Sequence, residues 1–432
     1  MNIVKELIDF LNSSVTMFHG IKECEKKLIE AGFKYLAENK IWDIAPGKYY
    51  TKRNSSSLIA FNIGEGDYHF QISASHSDSP TFKLKDDPII ESGGYLKLNV
   101  EGYGGMINST WLDKPLSLGG RVIVETEEDI ETRLLYIDRD LLIIPNVPIH
   151  FNRDVNKGFA FNNQIDMRPL FSSGSLTALD FNEMIAKELG INSNRIIAKD
   201  LYLVNRQKAS LIGYDNEFIA SGRLDDLECV YTSLRAFLNV ENLGHINVFA
   251  VFDNEEVGSI TKQGAMSTFL SSTLDRINTA LGKSLEEYYS TIARSILISC
   301  DNAHALHPNH PELFDEVNRP VMNKGIAIKE SANQKYTTDA FSRAIFKKIL
   351  DKRDIPYQNF ANRSDMPGGS TLGNLSNTVV SMNALDVGIP QLSMHSSYEV
   401  AGSKDVGYAY RALKAFFESN IIIEDDKAYL GE

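Results

Sequence analysis

The chain has 432 residues, 43% of them hydrophobic, and a formal net charge of −13. That size and apolar share allow a large core and two domains, while the acidic balance, with no long basic run, argues against a nucleic-acid partner. No apolar stretch approaches the ~20 residues that span a bilayer, and Cys24, Cys229 and Cys300 lack the CxxC spacing of a thiolate metal site, which fits a reducing cytoplasm.

The first 40 residues read as two helices, MNIVKELIDFLNSS and a second over residues 20–37. The start lacks a basic segment followed by an apolar block, so no signal peptide is expected. Strand-like pieces follow at 49–50 and 57–62, and a further strand at 68–73 runs into ASHSDSP, residues 74–80. From about Lys85 the texture changes to short alternating segments such as YLKLNV (95–100) and RVIVE (121–125), with glycine-rich pieces at 102–105 and 119–120. Frequent short strands and turns suggest a β-rich unit, interrupted by one helix around 181–189. Its glycines lack Gly-x-x-x-x-Gly-Lys-Ser/Thr spacing, so no phosphate cradle is expected.

The α/β texture resumes with IASGRLDDL (219–227), whose helix puts Leu227, Val230, Leu234 and Phe237 on one face and Asp225 near its start. The run 246–252 is β-branched and aromatic without a helical stripe, as a strand buried on both faces reads. It stops at Asp253-Asn254, and Glu255 and Glu256 follow. Next come a helix from about residue 263, a strand at 295–299 ending in Cys300-Asp301, and the histidine-rich loop AHALHPNHPE (303–312). A helix over 338–350, a glycine turn in RSDMPGGST (363–371), a last buried strand at 389–394 ending in His395 and a helix over 404–417 complete the pattern. The expected fold is α/β, a mixed and largely parallel sheet flanked by helices. Residues 1–84 and 211–432 would form it, with 85–210 inserted as a β-rich domain.

Ligand-type side chains gather at strand ends: His76 with Asp78, Glu255 with Glu256, Asp301 and His395, joined by Asp225 at a helix start. In an open α/β sheet, ligands bind at those carboxyl ends. Singly each has an ordinary reading, a satisfied histidine or a helix cap. Jointly, two histidines and several carboxylates suit zinc, manganese or cobalt, and one carboxylate bridging two ions makes a binuclear hydrolytic site. One glutamate of the pair would then be a ligand and the other a general base. Asp78, two residues from His76, would share its strand face and bind the free imidazole nitrogen.

The motifs ASHSDSP (74–80), YGGMINSTWLDKPLSLGGRV (103–122), IPNVPIHFNR (144–153), GRLDDL (222–227), FDNEEVGS (252–259), SCDNAHALHPNHPE (299–312), SDMPGGST (364–371) and PQLSMHSSYE (390–399) span nearly the whole chain. In this order they resemble the aspartyl aminopeptidase and vacuolar aminopeptidase I family of di-zinc metallopeptidases. The resemblance implies a zinc exopeptidase-like fold with two Zn2+ per subunit, Co2+ or Mn2+ being possible substitutes. His76, Asp225 and Asp301 would hold one ion, and Asp225, Glu256 and His395 the other, with Asp225 bridging. Glu255 would be the base and Asp78 would orient His76. It also implies substrate contacts from His304, Lys329, Tyr336 and His150, the last reaching a neighbouring subunit. The inserted domain would drive dimerisation and assembly of dimers into a tetrahedral dodecamer. The substrates would be peptides with a free N-terminus, acidic or neutral in the first residue. One departure is that members commonly read RLDN where this chain has Arg223-Leu224-Asp225-Asp226. The same metal chemistry would also serve an N-acyl amino acid hydrolase or a C-terminal peptide hydrolase, and a non-catalytic oligomeric scaffold would keep the fold alone.

Overall fold

Four parallel strands, Ile246–Phe252, Phe70–His76, Ile296–Cys300 and Asn383–Gly388, lie side by side at the centre of a nine-stranded sheet. The computed structural model describes residues 3–66, 68–174, 176–240 and 244–431. Antiparallel neighbours flank the parallel centre, Ser57–Ile63 on one side and Ile326–Glu330 on the other, so the sheet is mixed and largely parallel, as expected.

Every residue of Ile246–Phe252 is buried, because both sheet faces are covered. Phe249 and Val251 join a core with the helices Leu224–Leu238, Ala340–Lys352 and Ser403–Glu418. Val248, Ala250 and Phe252 point the other way, into a core shared with Phe269–Ala280 and Leu285–Arg294. This two-sided burial is why the sequence run is uninterruptedly apolar. Each large side chain removed from water in this way contributes roughly 1.5–3 kcal/mol. The pairing Phe252↔His76 brings two adjacent strands to an end at one level. Ligand-type residues just beyond both ends therefore meet.

A second sheet of six antiparallel strands is built from residues between Thr81 and Asn205 and has its own core, including Phe82, Trp111, Leu118 and Phe181. The helix Ala178–Leu189 packs on it. Among the described residues no helix is long and apolar enough to cross a membrane.

Three sequence expectations shift. The second helix is Met17–Glu30, and the chain turns at Gly32 in the left-handed region (φ 82°) into the strand Lys34–Tyr35. The helix expected from residue 263 begins at Phe269. The segment 389–394 is no strand of the main sheet, whose last member by sequence is Asn383–Gly388. Pro390–Leu392 instead pairs in a third, five-stranded sheet with Ala303–His304 and Glu399–Gly402. The latter strand pairs in turn with Phe218–Ser221.

Candidate metal centre

His76 is the last residue of its strand. Beyond Phe252 the neighbouring strand turns through Asn254 (φ 62°) into a single 3-10 turn, Glu255–Val257, that presents both glutamates. Asp301 follows the strand Ile296–Cys300 directly. Asp225 stands at the start of the helix Leu224–Leu238 with extended dihedrals (φ −73°, ψ 110°), and the Asp225–Asp226 peptide is cis. It is no helix cap. Its side chain points to the strand ends. His395 arrives from the third sheet, in a turn after Pro390–Leu392.

Asp225 offers one carboxylate oxygen to each histidine. Oδ1 lies 3.4 Å from His76 Nε2, and Oδ2 lies 3.5 Å from His395 Nε2. On the far side of His76, Asp301 Oδ1 is 3.8 Å from Nε2; on the far side of His395, Glu256 Oε2 is 3.2 Å from Nε2. Ligand atoms arranged tetrahedrally at ~2.1 Å around one zinc ion are about 3.4 Å apart. The observed separations bracket that value. Two groupings of ligand atoms close enough to share an ion are His76 with Asp225 and Glu256, and His76 with Asp226 and Asp301. Asp226 is thus a neighbour of the centre that sequence reading treated only as a departure from RLDN.

Both histidines are held in the tautomer a metal needs. His76 Nδ1 donates to the Asp78 carbonyl at 3.1 Å, and His395 Nδ1 donates to the Gly105 carbonyl at 2.7 Å. A carbonyl can only accept, so each ring carries its proton on Nδ1 and aims Nε2 at the carboxylates. Asp78 therefore orients His76 through its main chain, while its carboxylate stands 3.5 Å from Nδ1. The strand ends at His76, so the shared-face spacing does not operate. The Asp78 carboxylate instead accepts from the amides of Glu255 (3.1 Å) and Glu256 (3.2 Å) and from Tyr103 Oη (2.7 Å).

The electrostatics of this cluster favour a cation. Burial, reinforced by Asp301, Asp78 and Asp225, pushes Glu255 up to about 8. Burial and neighbouring carboxylates likewise hold Asp226 and Glu256 well above the usual range. Burial alone would depress His76, but Asp226, Asp225, Asp301 and Asp78 raise it well above its ordinary value. Burial acts to raise Asp225, yet His395 and His76 keep it below the carboxylate range. The buried oxygens Asp225 Oδ1, Asp226 Oδ1 and Glu256 Oε1 accept no hydrogen bond. Such orphaned acceptors are costly, and a divalent cation would satisfy them. The mixed nitrogen and oxygen donor set fits zinc.

Of the four residues tied to substrate by resemblance, Lys329 and Tyr336 are buried and His304 and His150 are exposed. Lys329 Nζ donates to the Asn302 carbonyl (2.8 Å), lies 3.8 Å from Asp301 Oδ2 and sits 5.5 Å from the centre of the Tyr336 ring. It thus has both a backbone partner and an acidic one. His304 is open to solvent at one edge but its ring packs edge-on to Phe360 at 6.1 Å, and partial desolvation there, then Lys329, lowers its pKa. His150 lies in the exposed turn near residues 149–151.

Sequence reading passed over Glu399, although it lies inside the quoted PQLSMHSSYE. Its buried carboxylate accepts from the amides of His395 (2.8 Å) and Asp225 (3.2 Å), joining the turn after the third-sheet strand to the start of the helix Leu224–Leu238. Behind it, Asn302 donates to Gln391 Oε1 at 2.6 Å and to Glu228 Oε2 at 3.2 Å.

The sequence profile of the family described as aminopeptidase I zinc metalloprotease (M18) matches residues 10–417. This chain belongs to the M18 family of zinc aminopeptidases. It is a hydrolase acting on peptides, which sets aside the non-catalytic scaffold. The chain is 43% identical to the probable M18 family aminopeptidase 2 of Clostridium novyi, over 96% of this chain and 99% of that one. It is 37% identical to aspartyl aminopeptidase 1 of Schizosaccharomyces pombe, over 97% and 95%. Among solved structures, a chain of the Ape4 and Nbr1 complex superposes with a TM-score of 0.94 at 37% identity, covering 96% of this chain and 85% of that one. The S. cerevisiae mApe1 dodecamer gives 0.86 at 28% identity, covering 96% of each. These likenesses establish the α/β aminopeptidase fold for the enzyme.

Proposed function

We propose that the chain is a binuclear zinc aminopeptidase that releases one N-terminal residue, acidic or neutral, from peptides. One observation carries this reading: the two oxygens of Asp225 face different histidines at 3.4 and 3.5 Å. His76 and Asp301 would complete one site, His395 and Glu256 the other. Two zinc ions there would supply Lewis acidity, bringing the pKa of the attacking water toward roughly 7 and polarising the scissile carbonyl.

The remaining chemistry belongs to side chains. Glu255 is held beside the cluster by the hydrogen bond its amide donates to the Asp78 carboxylate. Burial and neighbouring carboxylates raise this carboxyl in the metal-free protein and added cations would lower it, which suits a base that takes a proton from water and returns it to the departing amine. Lys329 braces Asp301 and the Tyr336 ring, while His304 remains neutral and free to contact a peptide.

His150 would act in a neighbouring subunit. The stretch around it exposes Val147, Ile149, Phe151 (85%), Phe159 and Ile165 (71%), an apolar surface of the sort that a partner covers. We read residues 85–210 as the dimerisation module and the assembly as a dodecamer like that of mApe1. Cobalt or manganese would substitute for zinc. The three cysteines, all buried and unpaired, fit a cytoplasmic setting.

Elemental analysis tests the reading. The wild type should carry two zinc ions per chain, and Asp225→Asn should lose both. A single tightly held ion unaffected by that substitution would refute the bridge.

A further inference from the structure

The glycine-rich piece Tyr103-Gly104-Gly105 was legible in the sequence but has no place in the proposed chemistry. It closes the strand Tyr95–Tyr103 of the six-stranded sheet, yet its contacts are in the metal centre. Tyr103 Oη donates to Asp78 Oδ2 at 2.7 Å and accepts from Asn254 Nδ2 at 2.8 Å. A side chain on Gly104, in the left-handed region at φ 75°, would stand 3.1 Å from Glu256 Cβ and 3.4 Å from Pro80. The Gly105 carbonyl accepts from His395 Nδ1, and two residues on Ile107 donates its amide to the His395 carbonyl at 3.0 Å. Tyr103 at the end of that strand and the two glycines that follow it therefore lie against Asp78, Glu256 and His395.

The same stretch continues into contacts with the far end of the ligand loop. Ser397 donates its amide to Thr110 Oγ1 and its hydroxyl to the Thr110 carbonyl, and Lys114 donates to Ser397 Oγ.

We propose that Tyr103 and the turn Gly104-Gly105 are positioning elements through which the six-stranded module sets the geometry of the metal centre in its own subunit. Tyr103 fixes the Asp78 carboxylate. That carboxylate anchors the amides of Glu255 and Glu256, while the Asp78 carbonyl fixes His76. Gly105 fixes the ring of His395. Tyr103 and the carbonyls of Asp78 and Gly105 thus hold both histidines and the main chain of both glutamates. Glycine suits position 104 because φ is 75° there and a Cβ would crowd Glu256. The module is accordingly a structural part of the centre as well as an assembly surface. This rests on the metal-centre reading above.

The test compares zinc-loaded wild type with Tyr103→Phe, which removes one oxygen, with Gly104→Ala, and with Tyr95→Phe on the same strand. Tyr95 is half exposed, at the opposite end of that strand from Tyr103. Zinc retention against a graded chelator, kcat, KM and thermal unfolding are measured for each. Loss of a partner that orients ligands costs about 10–100-fold in metal affinity or activity. Tyr103→Phe or Gly104→Ala should show that fall in zinc retention and kcat with KM unchanged, while Tyr95→Phe matches the wild type. Wild-type zinc retention and kcat in both site variants would overturn the proposal, as would an equal loss in Tyr95→Phe. Failure of the underlying metal-centre reading shows separately, as zinc and activity persisting in Asp225→Asn.

Discussion

The amide of Glu255 donates to Asp78 Oδ1 at 3.1 Å, so the proposed general base is tied by its main chain to the residue whose carbonyl accepts from His76. Its side chain is left free of that duty. Glu255→Gln should therefore keep its place and leave zinc content unchanged while kcat falls about 10²–10⁴-fold, the range for general-base loss. Elemental analysis alongside steady-state kinetics checks this, and retained kcat would remove Glu255 from the role.

Asp225 turns one carboxylate oxygen toward each histidine, so on the proposed binuclear reading metal binding and folding should be linked through it. Ligand held at 100 times its dissociation constant stabilises a native state by about 2.7 kcal/mol. Chelation should lower the unfolding midpoint of the wild type, and zinc should restore it in a concentration-dependent way. Asp225→Asn should show no such zinc dependence in a thermal melt.

Phe249 is fully buried at the middle of the central strand, its ring 6.0 Å from that of Phe237. Phe249→Ala should destabilise the protein by about 3–5 kcal/mol through lost burial and a cavity. Denaturant unfolding would show it as a lowered midpoint. Zinc affinity measured below that midpoint should change little, since Phe249 lies three residues before the strand end.

His19 gives a pH dependence outside the metal centre. Burial first, then Arg223 and Lys22, lower it from 6.5 to about 4, while Thr16 Oγ1 lies 2.8 Å from its Nδ1. Between those two values the unfolded chain binds a proton that the native chain does not. Stability should therefore fall as pH drops from about 6.5 to 4, with His19 contributing on the order of 1–3 kcal/mol. His19→Gln should flatten the slope of stability against pH in that window. An unchanged slope would assign the acid sensitivity elsewhere.

The core of the fold was readable because physics forces it into the sequence. A parallel strand covered on both faces must be apolar throughout, and polar residues can begin only where it ends, which made Ile246–Phe252 and the glutamates after it conspicuous. The third sheet was not readable. Its strands run two to four residues, too short for any periodicity, and pairings such as Ala303↔Pro390 join distant segments. That sheet carries His395, so the histidine was placed on a main-sheet strand instead. Asp78 was identified, yet spacing could not show that its carbonyl, and not its carboxylate, makes the hydrogen bond to His76. Glu399 and Tyr103 act through hydrogen bonds across sheets, which leave no local pattern. His150, His304, Lys329 and Tyr336 came only through family resemblance.

The most direct test is release of the N-terminal residue from peptides beginning with Asp, Glu, Leu or Lys, each with a free or an acetylated N-terminus. The assay is run after chelation and after graded zinc addition. The account predicts no cleavage without metal, recovery that is complete at two zinc ions per chain, and cleavage of free N-termini only. Equal cleavage of acetylated peptides, or activity indifferent to chelator, would contradict it.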